Sequence, residues 1–248
     1  MSSVRFFISR KNIDGVSAFI EGDEHFHLSQ VIRKKAGSQV VLFDSEGRYY
    51  QARVLRVEAG KTRFTILGTS DVSPGLRLGL AQSFLKSDKM DWIVQKGTEL
   101  GLTDFFPLLS ERSIVRPNSS RDKKISRWRR IALEAVKQSG RPGLPHIHLP
   151  EMVHHFIRSG PAPKQECFFL SEKGGVPLHR IIRDRDALQP PESVLLLCGP
   201  EGGWTNAEEK NILGSGFQAL SLGATVLRAE TAALSALAIV SHFWDRSA

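Results

Sequence analysis

Short apolar, β-prone runs broken by turn residues fill the first seventy positions. Arg5–Ile8, Gln39–Asp44, Tyr49–Val57 and Thr62–Leu67 read as strands, separated by Ser45-Glu46-Gly47 and Ala59-Gly60-Lys61. Together they predict a small barrel or meander. One helix interrupts it over Asp23–Lys35, with Phe26, Val31 and Ile32 as apolar positions. Its last residues, Arg33, Lys34 and Lys35, suit a helix C-terminus and would equally suit a phosphate. Thr69–Gly75, TSDVSPG, has the composition of a linker, which predicts two domains, 1–70 and 76–248.

From Leu76 the rhythm changes to strands alternating with helices, the pattern of an α/β domain with a parallel sheet. Leu76–Gln82 reads as a strand. Ser87–Leu100 reads as an amphipathic helix with Met90, Ile93, Val94 and Leu100 inward and Gly101 at its end. Asp104–Leu109 is another strand, Lys123–Ser139 a basic helix, and further strands fall around Ile147, Cys167–Leu170 and Val194–Cys198. The chain shows no internal repeat and no low-complexity tract.

Two stretches near the C-terminus share one grammar. In SVLLLCGPEGGWTNAEE (193–209) a buried strand runs into Gly199–Gly203, and Thr205 with Glu208 forms a capping box that opens a helix. In QALSLGATVLRAETAALSALA (218–238) a strand over Ala219–Leu222 reaches a turn at Gly223. Arg228, Glu230 and Thr231 then precede the apolar helix Ala232–Val240. Ligands of open α/β sheets sit where such loops leave the carboxyl ends of strands. Glycine adopts φ > 0 freely and lets a ligand approach the backbone, while Pro200 stiffens the turn. Taken alone, the first loop reads equally as a tight strand-to-helix turn; the second loop and its charges favour a shared site. Neither the GxxxxGK[ST] phosphate loop nor the GxGxxG dinucleotide spacing is present.

The 248 residues, 41% of them hydrophobic, suffice for one large or two modest cored domains. No long apolar run occurs and the start, MSSVRFFISRKN, lacks the apolar core of a signal peptide, so a cytoplasmic protein is expected. Cys167 and Cys198 lie far apart in apolar stretches and read as buried reduced thiols. The histidines lack carboxylates or cysteines at ligand spacing, and no metal site is expected. The net charge of +8 is concentrated: between Ser110 and Pro145 ten basic residues face three acidic ones, a net +7. Such a stripe attracts polyanions, unless it is simply a solvated helix face.

GPEGG at Gly199–Gly203 and LGATVLRAETA at Leu222–Ala232 resemble the ribosomal RNA small subunit methyltransferase E family of the SPOUT superfamily. So do QKGTELG at Gln95–Gly101, SERS at Ser110–Ser113, EAVKQSGRPGLP at Glu134–Pro145, and His27 with Val31, Ile32 and Arg33. The resemblance spans nearly the whole chain, and although GPEGG alone is shared more widely, the combination is specific. It implies a PUA-like N-terminal β-barrel that binds RNA and a SPOUT α/β domain with a deep C-terminal trefoil knot. It also implies S-adenosylmethionine as methyl donor, a homodimer, and methylation of N3 of a uridine in 16S ribosomal RNA. Sequence physics would not propose a knot, since knots are nearly absent from folds.

With that resemblance, the cofactor would lie against Leu197, Cys198, Gly199, Pro200, Glu201 and Gly202, with Leu222, Gly223 and Leu227 closing the other side. RNA contacts are expected at Arg33, Arg112, Arg116, Arg127, Gln138 and Arg141. Arg228 and Glu230 are the expected catalytic residues, because N3 carries a proton near neutral pH that a base must remove or a cation offset. The same two residues would also suit a structural ion pair at a helix start. Glu172 carries no weight in the resemblance. Three other readings stand beside this one: a non-catalytic RNA-binding protein, a SPOUT methyltransferase acting on another RNA, and a dinucleotide-dependent oxidoreductase, which the missing GxGxxG disfavours.

Overall fold

Residues 5–71, 75–113, 121–141, 143–184 and 191–244 are described in the computed structural model. Contacts gather the chain into two units, Met1–Ser73 with Leu133–Leu144, and Pro74–Ala132 with Pro145–Ala248. The linker signal at 69–75 marks the first division but carries no sign that Leu133–Leu144 groups with the first unit. Strand pairing reaches Asp71, opposite Arg48, so the first residues of that glycine- and proline-bearing stretch belong to a strand.

The first unit is a six-stranded sheet built from β1 (Arg5–Phe7), β2 (Ile13–Asp14), β3 (Ser17–Glu21), β4 (Gln39–Phe43), β5 (Arg48–Glu58) and β6 (Lys61–Asp71), in the order β1-β4-β5-β6-β3-β2. All its pairings are antiparallel except β1 with β4. Phe6, Ile20, Leu28, Leu42, Val54 and Phe64 fill its core. The runs around 40, 50 and 65 were legible because their apolar residues face this core. In β3 only Ala18 and Ile20 point inward, too short an alternation to stand out. The helix expected over Asp23–Lys35 is α1 (Gly22–Phe26), continued by one π-helical turn over His27–Val31. It ends at Arg33, whose backbone turns to φ 57°. The tail of the basic helix packs into this unit: Tyr49 Oη donates to Gly140 O at 3.3 Å, Arg5 donates to the same carbonyl, and Lys137 pairs with Glu24.

The second unit is an all-parallel sheet of β7 (Arg77–Ser83), β8 (Asp104–Leu109), β9 (His146–Ile147), β10 (Glu151–Met152), β11 (Gln165–Leu170), β12 (Val176–Pro177), β13 (Ser193–Cys198) and β14 (Gln218–Ser221). The order is β10-β8-β7-β13-β11-β14-β12, with β9 beside β8. Parallel pairing requires crossovers, supplied by α2 (Ser87–Glu99), α3 (Arg121–Ser139), α4 (Val153–Phe156), α5 (Leu178–Asp184) and α6 (Asn206–Gly214), while α7 (Ala229–Trp244) follows the last strand.

The two-residue period of β13 explains how both faces are covered. Val194, Leu196 and Cys198 join one core with Ile93 and Val94 of α2, Trp128 of α3 and Ala233, Leu237 and Val240 of α7. Leu195 and Leu197 join another with Trp204, Val153 of α4 and Ile212 of α6. A strand buried on both faces reads as a continuous apolar run, which is why SVLLLC was legible without alternation.

Candidate functional site

β13 lies between β7 and β11, and β14 lies on the far side of β11, so the loops leaving β11, β13 and β14 converge. They enclose a pocket walled by Cys198–Pro200, Gly202–Trp204, residues 170–174 and 220–227, closed by Arg112 and by Ala229 and Ala232 of α7. The convergence of two glycine loops expected from sequence is therefore real, and a third loop, after β11, joins them.

Local chemistry shapes each wall. Cys198 is in register with Gln82 at the end of β7, and the Gln82 amide donates to Gly199 O at 3.0 Å and Cys198 O at 3.4 Å. The loop then turns on Gly203, whose φ is 65° and whose N–H bonds Pro200 O at 3.0 Å. Gly223 carries the turn after β14 with φ 139°. The left-handed positions are thus Gly203 and Gly223, not Gly199 or Gly202; Gly199 is small because the Trp204 ring stands against it. The capping box at Thr205 is formed, with Glu208 N bonded to Thr205 Oγ1 at 3.2 Å and Thr205 N to Glu208 Oε2 at 3.0 Å. The other Glu208 oxygen accepts from Glu111 N at 2.9 Å. Arg112 donates to Gly202 O at 2.9 Å and Trp204 O at 3.4 Å, holding the loop from outside.

The pocket is not built for a polyphosphate. Of its cations, Arg112 is committed to loop carbonyls, and Lys173 reaches Glu209 Oε2 and Asn206 Oδ1, both at 2.7 Å. The Glu172 carboxylate lies beside Gly203 on the wall. Trp204 Nε1 is buried without a hydrogen-bond partner among the described residues, leaving an unused donor in the wall. Burial pushes the Cys198 thiol up to about 12, with the charges of Glu230 and Glu172 acting in the same direction and the Gln82 side chain opposing. The thiol is neutral and donates to Ala229 O at 3.5 Å.

Of the expected cofactor residues, Cys198, Gly199, Pro200, Gly202, Leu222, Gly223 and Leu227 line the pocket. Leu197 and Glu201 do not: Leu197 points into the core beneath the sheet, and Glu201 turns to Lys89. Arg228 and Glu230 also stand off the pocket wall, and they are not paired with each other. The helix α7 begins at Ala229, before the expected Ala232, so Glu230 sits in its first turn, where it meets Lys89 of α2 at 3.1 Å. Arg228 is exposed and makes no ion pair with a described residue.

The expected RNA residues separate by unit. In the first, Arg33 borders a groove with Lys34, Lys35, Arg56, Leu55 and Val57, and Gln138 is exposed while Arg141 is half-buried. In the second, Arg127 is paired with Asp91 at 2.6 Å and Arg112 serves the glycine loop. Arg116 lies outside the described residues. Sequence reasoning missed Lys89, Arg112 as a loop support and Glu172, and only tertiary contacts reveal them. No group of three His, Cys, Asp or Glu side chains among the described residues is placed to hold a metal ion. No helix among them is long and apolar enough to cross a membrane.

The chain matches the model of the RNA methyltransferase domain over residues 73–241. It is 30% identical to ribosomal RNA small subunit methyltransferase E of Bacillus subtilis, covering 96% of each chain. Its identity to the protein of that name from Mycobacterium tuberculosis is 31%, covering 100% of this chain and 96% of that one. A crystal structure of ribosomal RNA small subunit methyltransferase E from Neisseria gonorrhoeae bound to S-adenosyl methionine superposes with a TM-score of 0.83 at 30% identity, over 98% of this chain and 99% of that one.

Proposed function

The chain belongs to the ribosomal RNA small subunit methyltransferase E family, and from that membership we propose that it transfers a methyl group from S-adenosylmethionine to ribosomal RNA of the small subunit. The finer reading is methylation of N3 of a uridine in 16S ribosomal RNA by a cytoplasmic homodimer. In that reading the first unit is a PUA-like RNA-binding domain of about residues 1–70. The second is a SPOUT domain of about 76–248 with a knotted C-terminal segment.

The observation that carries this reading is the pocket at the glycine loops. Its cations are already engaged, its wall offers a carboxylate, and much of its lining is backbone and apolar side chain. That suits a nucleoside bearing a sulfonium and no phosphate. When bound, S-adenosylmethionine supplies an electrophilic methyl group. Backbone groups at 199–203 and 222–227 would hold the nucleoside, with Leu222 and Leu227 excluding water. Arg228, exposed at the entry to α7, faces the negative charge that develops on the uracil, and Glu230 in the next turn receives the N3 proton. The homodimer reading is supported by apolar side chains left in solvent on this unit, Phe243 at 57% and Val226 at 71% exposure.

Mass spectrometry of nucleosides from small-subunit ribosomal RNA, after incubation with labelled S-adenosylmethionine, tests the reading. Labelled 3-methyluridine is the expected product. Label on another base would move the reading to a different site or RNA. Cofactor binding without transfer to any RNA would favour a non-catalytic binding protein.

A further inference from the structure

Lys89, in the first turn of α2, stands between two carboxylates brought from distant parts of the chain. Its Nζ lies 3.2 Å from Glu201 Oε1 in the glycine loop and 3.1 Å from Glu230 Oε2 in α7. The side chains are 24% exposed for Lys89, 24% for Glu201 and 15% for Glu230, so the cluster is mostly withdrawn from water. Both Glu201 oxygens and Glu230 Oε2 are sealed from solvent and have no aligned hydrogen bond among the described residues. What holds them is the shared ammonium, through hydrogen-bond-length contacts and its charge. Burial works to push that ammonium down, but the contacts with Glu230 and Glu201 outweigh it and keep Lys89 protonated.

The other groups facing Glu230 do not replace this cation. Cys198, from β13, feels the Glu230 charge but is a neutral thiol bonded to Ala229 O. Arg228, on the same segment, is exposed. Two carboxylates on one ammonium carry a net charge of −1. Take the ammonium away and two like charges remain in a low-dielectric site, where one of them protonates.

We propose that Lys89 is a positioning residue for methyl transfer: its shared charge clamps Glu201 of the glycine loop to Glu230 of α7 and holds Glu230 in place as the proton acceptor. The proposal rests on the methyltransferase reading. In the step it serves, the N3–H bond breaks with its electron pair left on nitrogen, and the proton binds a Glu230 oxygen. The nitrogen pair forms the new N–CH₃ bond as the S–CH₃ pair returns to sulfur. Lys89 forms no bond to either reactant.

The test compares wild type, Lys89→Met and Lys89→Arg by two readouts. The first is the melting temperature from pH 5 to pH 8 without RNA. Lys89→Met should lose more relative to wild type at pH 8 than at pH 5, because protonation at low pH relieves the unpaired carboxylates. A loss that does not vary with pH overturns the charge clamp. The second is the single-turnover rate of methyl transfer to small-subunit ribosomal RNA across the same pH range, alongside calorimetric cofactor affinity. The acid limb of Lys89→Met should move up by about one pH unit or more, a shift typical of a lost opposite charge, and Lys89→Arg should restore it. An unshifted limb, with rate and affinity falling together, reduces Lys89 to a structural strut. If wild-type protein transfers no methyl group to this RNA, the functional reading fails by itself, while the melting data still decide whether the three charges act as a unit.

Discussion

The indole of Trp204 lies against Gly199 so closely that a β-carbon added to the glycine would stand 3.1 Å from Trp204 Cε2 and 3.2 Å from Nε1. Trp204 is itself buried, at 4% exposure, and cannot swing away without opening the core under the loop. The glycine is therefore required by its neighbour rather than by its backbone angles.

Gly199→Ala should force the ring and the loop apart, costing about 1–3 kcal/mol by overpacking. Cofactor affinity should fall with it, because the displaced wall is the wall of the pocket. Gly203→Ala should cost about 1–2 kcal/mol for a different reason, the left-handed backbone that only glycine adopts freely. Calorimetric titration with S-adenosylmethionine and denaturant melts on both variants check this. Wild-type affinity in Gly199→Ala would separate the loop from the ligand.

Arg112 and the cations of α3 should part company. Arg112→Gln removes the donor to Gly202 O and Trp204 O and is expected to weaken S-adenosylmethionine binding. Arg129→Gln and Arg130→Gln, on the exposed face of α3, should leave that affinity unchanged. If they meet phosphates, each should lower the slope of log affinity for RNA against log salt by about one. An unchanged slope would make that face merely solvated.

Thr205→Ala is expected to cost about 1 kcal/mol, the usual loss for an N-cap hydroxyl. Glu208→Ala should cost more, because its carboxylate caps Thr205 N and also satisfies Glu111 N. Chemical denaturation of the two variants gives the order, and equal losses would show that the Glu111 bond adds nothing.

Both thiols should resist alkylation in the native protein at pH 8. Burial pushes Cys167 and Cys198 each to about 12, whereas an unfolded thiol titrates near about 8.5. The folded state thus favours the neutral thiol. Stability from this source is fully present below about pH 8.5 and declines as pH rises toward the folded value, since the unfolded chain loses its protons first. Iodoacetamide labelling that tracks global unfolding, and a melting temperature that falls at alkaline pH less steeply in Cys198→Ala, are the expected results. Rapid labelling of native protein would contradict the burial.

The parts of this molecule written in neighbouring residues were readable, and the parts written between distant ones were not. The capping box needs only Thr205 and Glu208, three residues apart, and it is formed as read. The strand over 193–198 announces itself by continuous apolarity because both its faces are covered. By contrast, nothing near Glu230 in sequence points to Lys89, which the fold delivers from α2. The same limit applies to Arg112: a cation in a basic stretch reads as one more phosphate contact until the carbonyls of Gly202 and Trp204 appear in front of it. Gly199 and Gly203 look alike in GPEGG, yet one answers to a tryptophan ring and the other to a left-handed turn.

The return of Leu133–Leu144 to the first unit has a consequence for how the protein is made and how it is divided. During translation, domains generally fold as units from the N-terminus onward. Here the first unit cannot complete its contacts until synthesis passes residue 144, by which time β7, α2 and β8 have already emerged. A fragment cut at 72–74 would leave Glu24, 12% exposed, without Lys137, and would strip Arg5 and Tyr49 of the Gly140 carbonyl. The first unit grafted into another protein must therefore carry its helical tail along, or Glu24 arrives without its cation.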